Sequence, residues 1–136
     1  MNIAIRQACA NDVEAIAELW TEASEWLAKQ GSSQWQYPVR TDGIRRDVAA
    51  GTVWLAERDH RELIGTITID STSSPGLWRP EELANAVIVH RFVVSRRYAG
   101  YGVGSRLLQH AEEIGRSRGR HWIRLDVWTS NTGLHD

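Results

Sequence analysis

The chain has 136 residues, enough for one domain with one sizeable core, and its 42% hydrophobic and 24% charged content excludes a disordered polymer. Sixteen basic and seventeen acidic side chains leave a formal charge of −1, which gives no general electrostatic case for a nucleic acid or a membrane surface as partner. No apolar run approaches the roughly 18 residues of a membrane span, MNIAIRQACAND carries no secretory pattern, and a lone cysteine, Cys9, supports neither a disulfide framework nor a cysteine-rich zinc site. The expectation is a cytoplasmic protein that uses no metal.

The first element is a strand over residues 2–7, where Ile3 and Ile5 share one face. Asn11, with Glu14 three residues on, has the form of a helix start in which a side-chain oxygen accepts from early N–H groups. Val13, Ile16, Ala17, Trp20, Ala23 and Leu27 then recur at helical spacing until Gly31. Residues 31–39 form a turn-rich connection holding Trp35 and Tyr37, and a second short helix runs from Thr41 to Ala50. Residues 52–57 and 63–70 are β-rich runs about a polar turn, which predicts a hairpin. Residues 71–86 are a long loop with two prolines. Val87 to Ser95 is an almost unbroken apolar run, the pattern of a central strand covered on both faces. A glycine-rich turn follows, then a helix with Val103, Leu107, Ala111 and Ile114 on one face, ended by Gly119. His121 to Trp128 is the last strand. The order β-α-α-β-β-β-α-β, without repeats or linkers, predicts one α/β domain over residues 1–136 with a mixed sheet.

The chemistry concentrates in the turn. Gly100, Gly102 and Gly104 alternate where a helix begins, so the backbone can bend tightly and an anion can approach its N–H groups without meeting a β-carbon. Unpartnered first-turn N–H groups and the positive helix end complete a pyrophosphate cradle, with Arg96, Arg97 and Arg106 nearby. A phosphate loop of the Gly-Lys-Ser/Thr kind is excluded because no lysine is present there. A dinucleotide-dependent oxidoreductase stays open through Asp126, on the following strand. Against it, the glycines do not follow the strand immediately, the third falls one place early, and most of the chain precedes them.

The strand ending Phe92-Val93-Val94, followed by Tyr98-Ala99-Gly100-Tyr101-Gly102-Val103-Gly104-Ser105-Arg106-Leu107-Leu108, resembles the GNAT superfamily of N-acetyltransferases. The resemblance spans nearly the whole chain. It implies a central mixed sheet flanked by helices and acetyl-CoA as co-substrate, without a metal. By this resemblance the backbone N–H groups of Gly100, Gly102, Val103, Gly104 and Ser105, with Arg97 and Tyr101 alongside, hold the coenzyme A pyrophosphate. Phe92, Val93 and Val94 receive the pantetheine arm as if it were an extra strand, and Asn131 hydrogen-bonds the cofactor. The basic residue of the family's Arg/Gln-x-x-Gly-x-Gly/Ala loop falls at Ala99 in one register and at Arg97 in another. The family continues past this asparagine into a helix, often with a tyrosine that protonates the leaving thiolate, and final strands. That helix would fall largely beyond Asp136, so the expectation is a chain that is truncated, completed by a partner in a homodimer, or catalytically impaired.

Acetyl transfer to an amine needs a polarised thioester carbonyl, a neutral amine in line with it, and a route for one proton, because a free amine near pKa 10 is mostly protonated at neutral pH. A backbone N–H beside Val94 is the expected carbonyl donor. His90, on the central strand, suits proton relay through its near-neutral intrinsic pKa, or is a packed side chain. Asp126 relays protons or holds an arginine. Glu25, Glu57 and Asp70 are weaker candidates. In this superfamily the first two helices and their connection line the acceptor cleft, which assigns Trp26, Trp35 and Tyr37 to it; aromatic walls near Glu22 and Glu25 suit a small-molecule or peptide amine. The resulting expectation is an N-acetyltransferase. An acyl-CoA-binding module without turnover and the dinucleotide-dependent enzyme are the alternatives.

Overall fold

A computed structural model describes residues 2–29, 41–59, 62–70, 86–120 and 122–125. The elements in chain order are β1 (Ile3–Gln7), α1 (Val13–Lys29), α2 (Thr41–Ala49), β2 (Val53–Arg58), β3 (Glu62–Asp70), β4 (Ala86–Val94), α3 (Val103–Ser117) and β5 (Trp122–Leu125), with short 3-10 turns at Ala10–Asp12 and Arg96–Tyr98. This is the order expected from periodicity. The hairpin turn between β2 and β3 is shorter than expected, because Arg58 pairs with Glu62 across it.

The strands lie in sequence order, β1 through β5. Neighbours from β1 to β4 are antiparallel, and β4 and β5 are parallel, joined through α3. A parallel neighbour requires a crossover, and the amphipathic α3 is that crossover. Its Val103, Leu107 and Ala111 pack on one sheet face with Ile67 and Ile69 of β3 and Val87 and Val89 of β4. The opposite face is covered by α1 and α2, where Val13, Ile16, Ile44 and Val48 meet Val53 and Leu55, and Leu19 meets Val93. β4 thus lies between two helical layers, which explains its unbroken apolar run: Ala86, Val87, Ile88 and Val89 are each 0% exposed.

The start of α1 differs from the sequence expectation. The capping group is Asp12, whose carboxylate accepts the Cys9 N–H at 2.8 Å, and not Asn11. Arg6 of β1 grips the same carboxylate at 2.7 Å and Glu57 of β2 at 2.7 Å. The Arg6 guanidinium holds the Asp12 carboxyl well below the usual carboxylate range, its hydrogen bonds outweighing the opposing effect of burial. A tertiary partner selects the cap, and local spacing carries no trace of it.

Candidate active site

β4 changes character halfway along. Its ladder with β3 pairs Thr68 with His90 and Thr66 with Val93, so Arg91 and Phe92 together oppose Ile67. This is a β-bulge, and within it Arg91 holds a positive φ of 48°. The bulge shifts the side-chain alternation: Val87 and Val89 face α3, and beyond it so do Phe92 and Val94. The β4–β5 ladder runs from Ala86 to Val89, as far as Leu125, the last described residue of β5. Ser95 donates its N–H to the Ile64 oxygen of β3 at 2.8 Å. Because successive N–H groups of an extended strand alternate sides, those of Val94 and Phe92 lie on the other edge, the β5 side.

After β4 the chain makes a 3-10 turn and enters the glycine loop. Gly100 and Gly102 have φ of 87° and 81°, the left-handed region that a β-carbon disfavours, and Gly102 is the residue that caps α3. A β-carbon at either position would meet no atom within 4 Å, so the outer surface of the loop is open. Tyr101 between them is 62% exposed. Among the described residues, no backbone carbonyl accepts the N–H of Gly100, Gly102, Val103, Gly104 or Ser105; the first helical bond runs from Arg106 N–H to the Gly102 oxygen, at 3.0 Å. Several donors therefore stand free at the positive end of a fifteen-residue helix, which is the chemistry of an anion cradle.

Tyr98 anchors this loop. Its ring is buried against the α3-side core, its hydroxyl donates to Glu62 Oε1 at 2.8 Å, and it accepts from Arg58 Nη1 at 2.7 Å. The ends of β2 and β3 thereby fix the height of the loop above the sheet. Sequence reasoning did not single out Tyr98, Arg58 or Glu62; no spacing links residues so far apart in the chain. Of the three arginines expected near the cradle, each has a protein contact. Arg97 lies 3.8 Å from Glu62, Arg106 donates to the Ile3 oxygen at 3.3 Å, and Arg96 stacks on the Trp26 ring at 3.9 Å from its centroid.

On the α1–α2 face, His90 Nε2 lies 3.8 Å from Asp70 Oδ2, each side chain about a quarter exposed. That distance is an ion-pair distance and too long for a hydrogen bond. Asp70, a weaker candidate by sequence, is thus beside the stronger one. Arg91 reaches α2 and donates to Asp47 Oδ2 at 2.7 Å. Trp26, expected at the acceptor cleft, is half-buried beneath Arg96. Trp35, Tyr37, Asp126 and Asn131 lie outside the described residues. No group of three metal-ligating side chains, and no helix long and apolar enough to cross a membrane, occurs among the described residues.

A dinucleotide-binding sheet is built of successive parallel strands, whereas this sheet has a single parallel pair among its described strands, placed after an antiparallel meander. Comparison with known proteins agrees. The profile of the Acetyltransferase (GNAT) family matches residues 13–136. An uncharacterized N-acetyltransferase of Bacillus subtilis, YesJ, is 32% identical over 130 residues, covering 91% of this chain and 72% of the relative. Among solved structures, a GNAT family acetyltransferase of Listeria monocytogenes superposes with a TM-score of 0.82 at 29% identity, over 98% of this chain and 81% of that one. The PaiA N-acetyltransferase of Thermoplasma acidophilum, solved in complex with coenzyme A, shares the fold with a TM-score of 0.76 at 20% identity, over 99% and 86%. With the family profile matched over residues 13–136, a relative 32% identical over 91% of the chain, and the fold shared with a GNAT family structure, this chain belongs to the GNAT family of acetyltransferases.

Proposed function

We propose that the protein transfers an acetyl group from acetyl-CoA to the primary amine of a small molecule or peptide, by direct attack with both substrates bound. The observation that carries this reading is the set of N–H groups of Gly100, Gly102, Val103, Gly104 and Ser105 that no backbone carbonyl accepts at the start of α3, beside the edge of β4 that the N–H groups of Phe92 and Val94 face. The loop holds the pyrophosphate through backbone donors, so neither Ala99 nor the side chain of Arg97 has to carry the binding. The pantetheine arm lies along the β5-side edge of β4 past the bulge, which the N–H groups of Phe92 and Val94 face. There the Val94 N–H donates to the thioester oxygen and stabilises the negative charge that develops on it.

The amine nitrogen attacks the carbonyl carbon, the tetrahedral intermediate collapses with cleavage of the C–S bond, and coenzyme A leaves as the thiolate, which then takes a proton. The proton lost by the amine passes to His90, whose imidazolium Asp70 stabilises from 3.8 Å. Holding two substrates in line supplies much of the acceleration. The acceptor enters from the α1–α2 face. Trp35, Tyr37, Asp126 and Asn131 keep their proposed roles in acceptor, proton and cofactor contacts.

Two measurements test this. Calorimetric titration with acetyl-CoA and separately with NAD(P) gives binding of the thioester alone; binding of the dinucleotide alone contradicts the reading. Thiol release across a panel of polyamines, amino acids and peptides gives turnover with at least one class. Bound coenzyme A without turnover across the panel contradicts the transferase assignment and leaves the binding site standing.

A further inference from the structure

We infer that Asp47 of α2 is a positioning residue: through Arg91 it holds the β4 bulge in the geometry that aims a backbone N–H at the acyl carbonyl. The inference deepens the proposed function and rests on its acetyl-CoA site. Arg91 is one of two non-glycine residues with positive φ among the described residues, and it is the one inside a strand. A long side chain rarely keeps that conformation unless its surroundings impose it. Here the imposing contact is visible. Arg91 Nη1 donates to Asp47 Oδ2 at 2.7 Å, and the Asp47 side chain is largely buried. The guanidinium lies so close over α2 that a β-carbon on Gly43 would come within 2.6 Å of Nη2. Gly43, inside a helix where glycine is otherwise unfavourable, is therefore the space the arginine occupies.

The consequence runs along the strand. The bulge sets two β4 residues against Ile67 and so fixes which edge the N–H groups of Phe92 and Val94 face. If Arg91 relaxed to an extended conformation, the downstream peptides would rotate and the carbonyl donor would lose its aim. The latch also joins the helix layer that lines the acceptor side to the strand that holds the donor. The Asp47 backbone oxygen separately accepts from Thr52 N–H and Oγ1, so truncating the Asp47 side chain leaves the end of α2 closed.

The test reads the bound carbonyl directly. Infrared difference spectra of acetyl-CoA labelled with 13C at the thioester carbonyl report how strongly the site polarises it, with no acceptor required. Two variants serve. Asp47→Ala removes the anchor, and Gly43→Ala displaces the guanidinium; alanine favours helix α2 at both positions, and a cooperative thermal melt checks that each variant is folded. For the wild type the carbonyl stretch of bound acetyl-CoA is lower than that of free acetyl-CoA. In both variants at least about half of that lowering is lost, while the calorimetric Kd for acetyl-CoA stays within about threefold and each variant still melts cooperatively above the assay temperature. An unchanged stretch in either variant overturns the inference, and so does a loss of acetyl-CoA affinity that parallels the loss of polarisation. Absence of acetyl-CoA binding by the wild type overturns the proposed function itself, which distinguishes the two failures.

Discussion

At the residue scale, single groups set both stability and binding. The Asp12 carboxyl is held below its ordinary value near 3.8 chiefly by hydrogen bonding to Arg6. Because the folded value is depressed, the stabilisation is complete above the unfolded value and is lost as the pH falls through the folded one. Thermal melts of Asp12→Asn against wild type thus differ most near neutrality and converge in strong acid; a constant difference across pH contradicts the linkage. Gly102, at φ 81°, is the clearest case in the loop. Alanine there costs about 1–2 kcal/mol of stability through the left-handed backbone alone. Misdirecting one charge-assisted donor costs about 1.5–3 kcal/mol of binding, a fall in coenzyme A affinity of roughly 10- to 150-fold by calorimetry. For His90→Gln, kcat falls and the acidic limb of its pH profile flattens, while coenzyme A affinity is retained; an unaltered profile removes His90 from proton transfer.

At the scale of elements, the loop is as good as its supports. Tyr98 is 7% exposed, and its hydroxyl joins the β2–β3 hairpin to the cradle. Tyr98→Phe loses that tie at a modest cost of about 1 kcal/mol, since Glu62 and Arg58 both reach water. Coenzyme A affinity then falls by more than stability does, as calorimetry and thermal melts together reveal. The apolar run of β4 and the alternating glycines were readable in the sequence because each reflects a local demand: burial on two faces, and positive φ at a helix start. The supports were not. Arg6 chooses Asp12 over Asn11 as the cap, Tyr98 meets Glu62, and Arg91 meets Asp47 through pairings across the sheet that leave no period in the chain. Trp26 illustrates the same point: the family resemblance assigned it to a cleft wall, while its partner Arg96 lies in the turn after β4.

At the scale of the whole molecule, β4 is the hinge between two half-sites. Its first half is buried and paired on both edges, which gives the sheet its rigidity; its second half, past the bulge, carries the donors proposed for the thioester. Helix α3 covers the first half and presents the proposed cradle at its own N-terminus, so packing and the proposed anion binding belong to one element. The element order, the crossover and the covered strand were legible because periodicity and topology rules act on whole segments. The proposed acceptor side was legible only as a region, because the face assigned to it gathers side chains from α1, α2, β3 and β4. The central claim is that main-chain N–H groups at the bend into α3 grip a diphosphate. Its most direct measurement is a nitrogen–proton NMR titration of the labelled protein with coenzyme A. The account predicts the largest amide shifts at Gly100, Gly102, Val103, Gly104 and Ser105, at stoichiometric saturation. Saturable binding that leaves these five amides in place and moves others contradicts it.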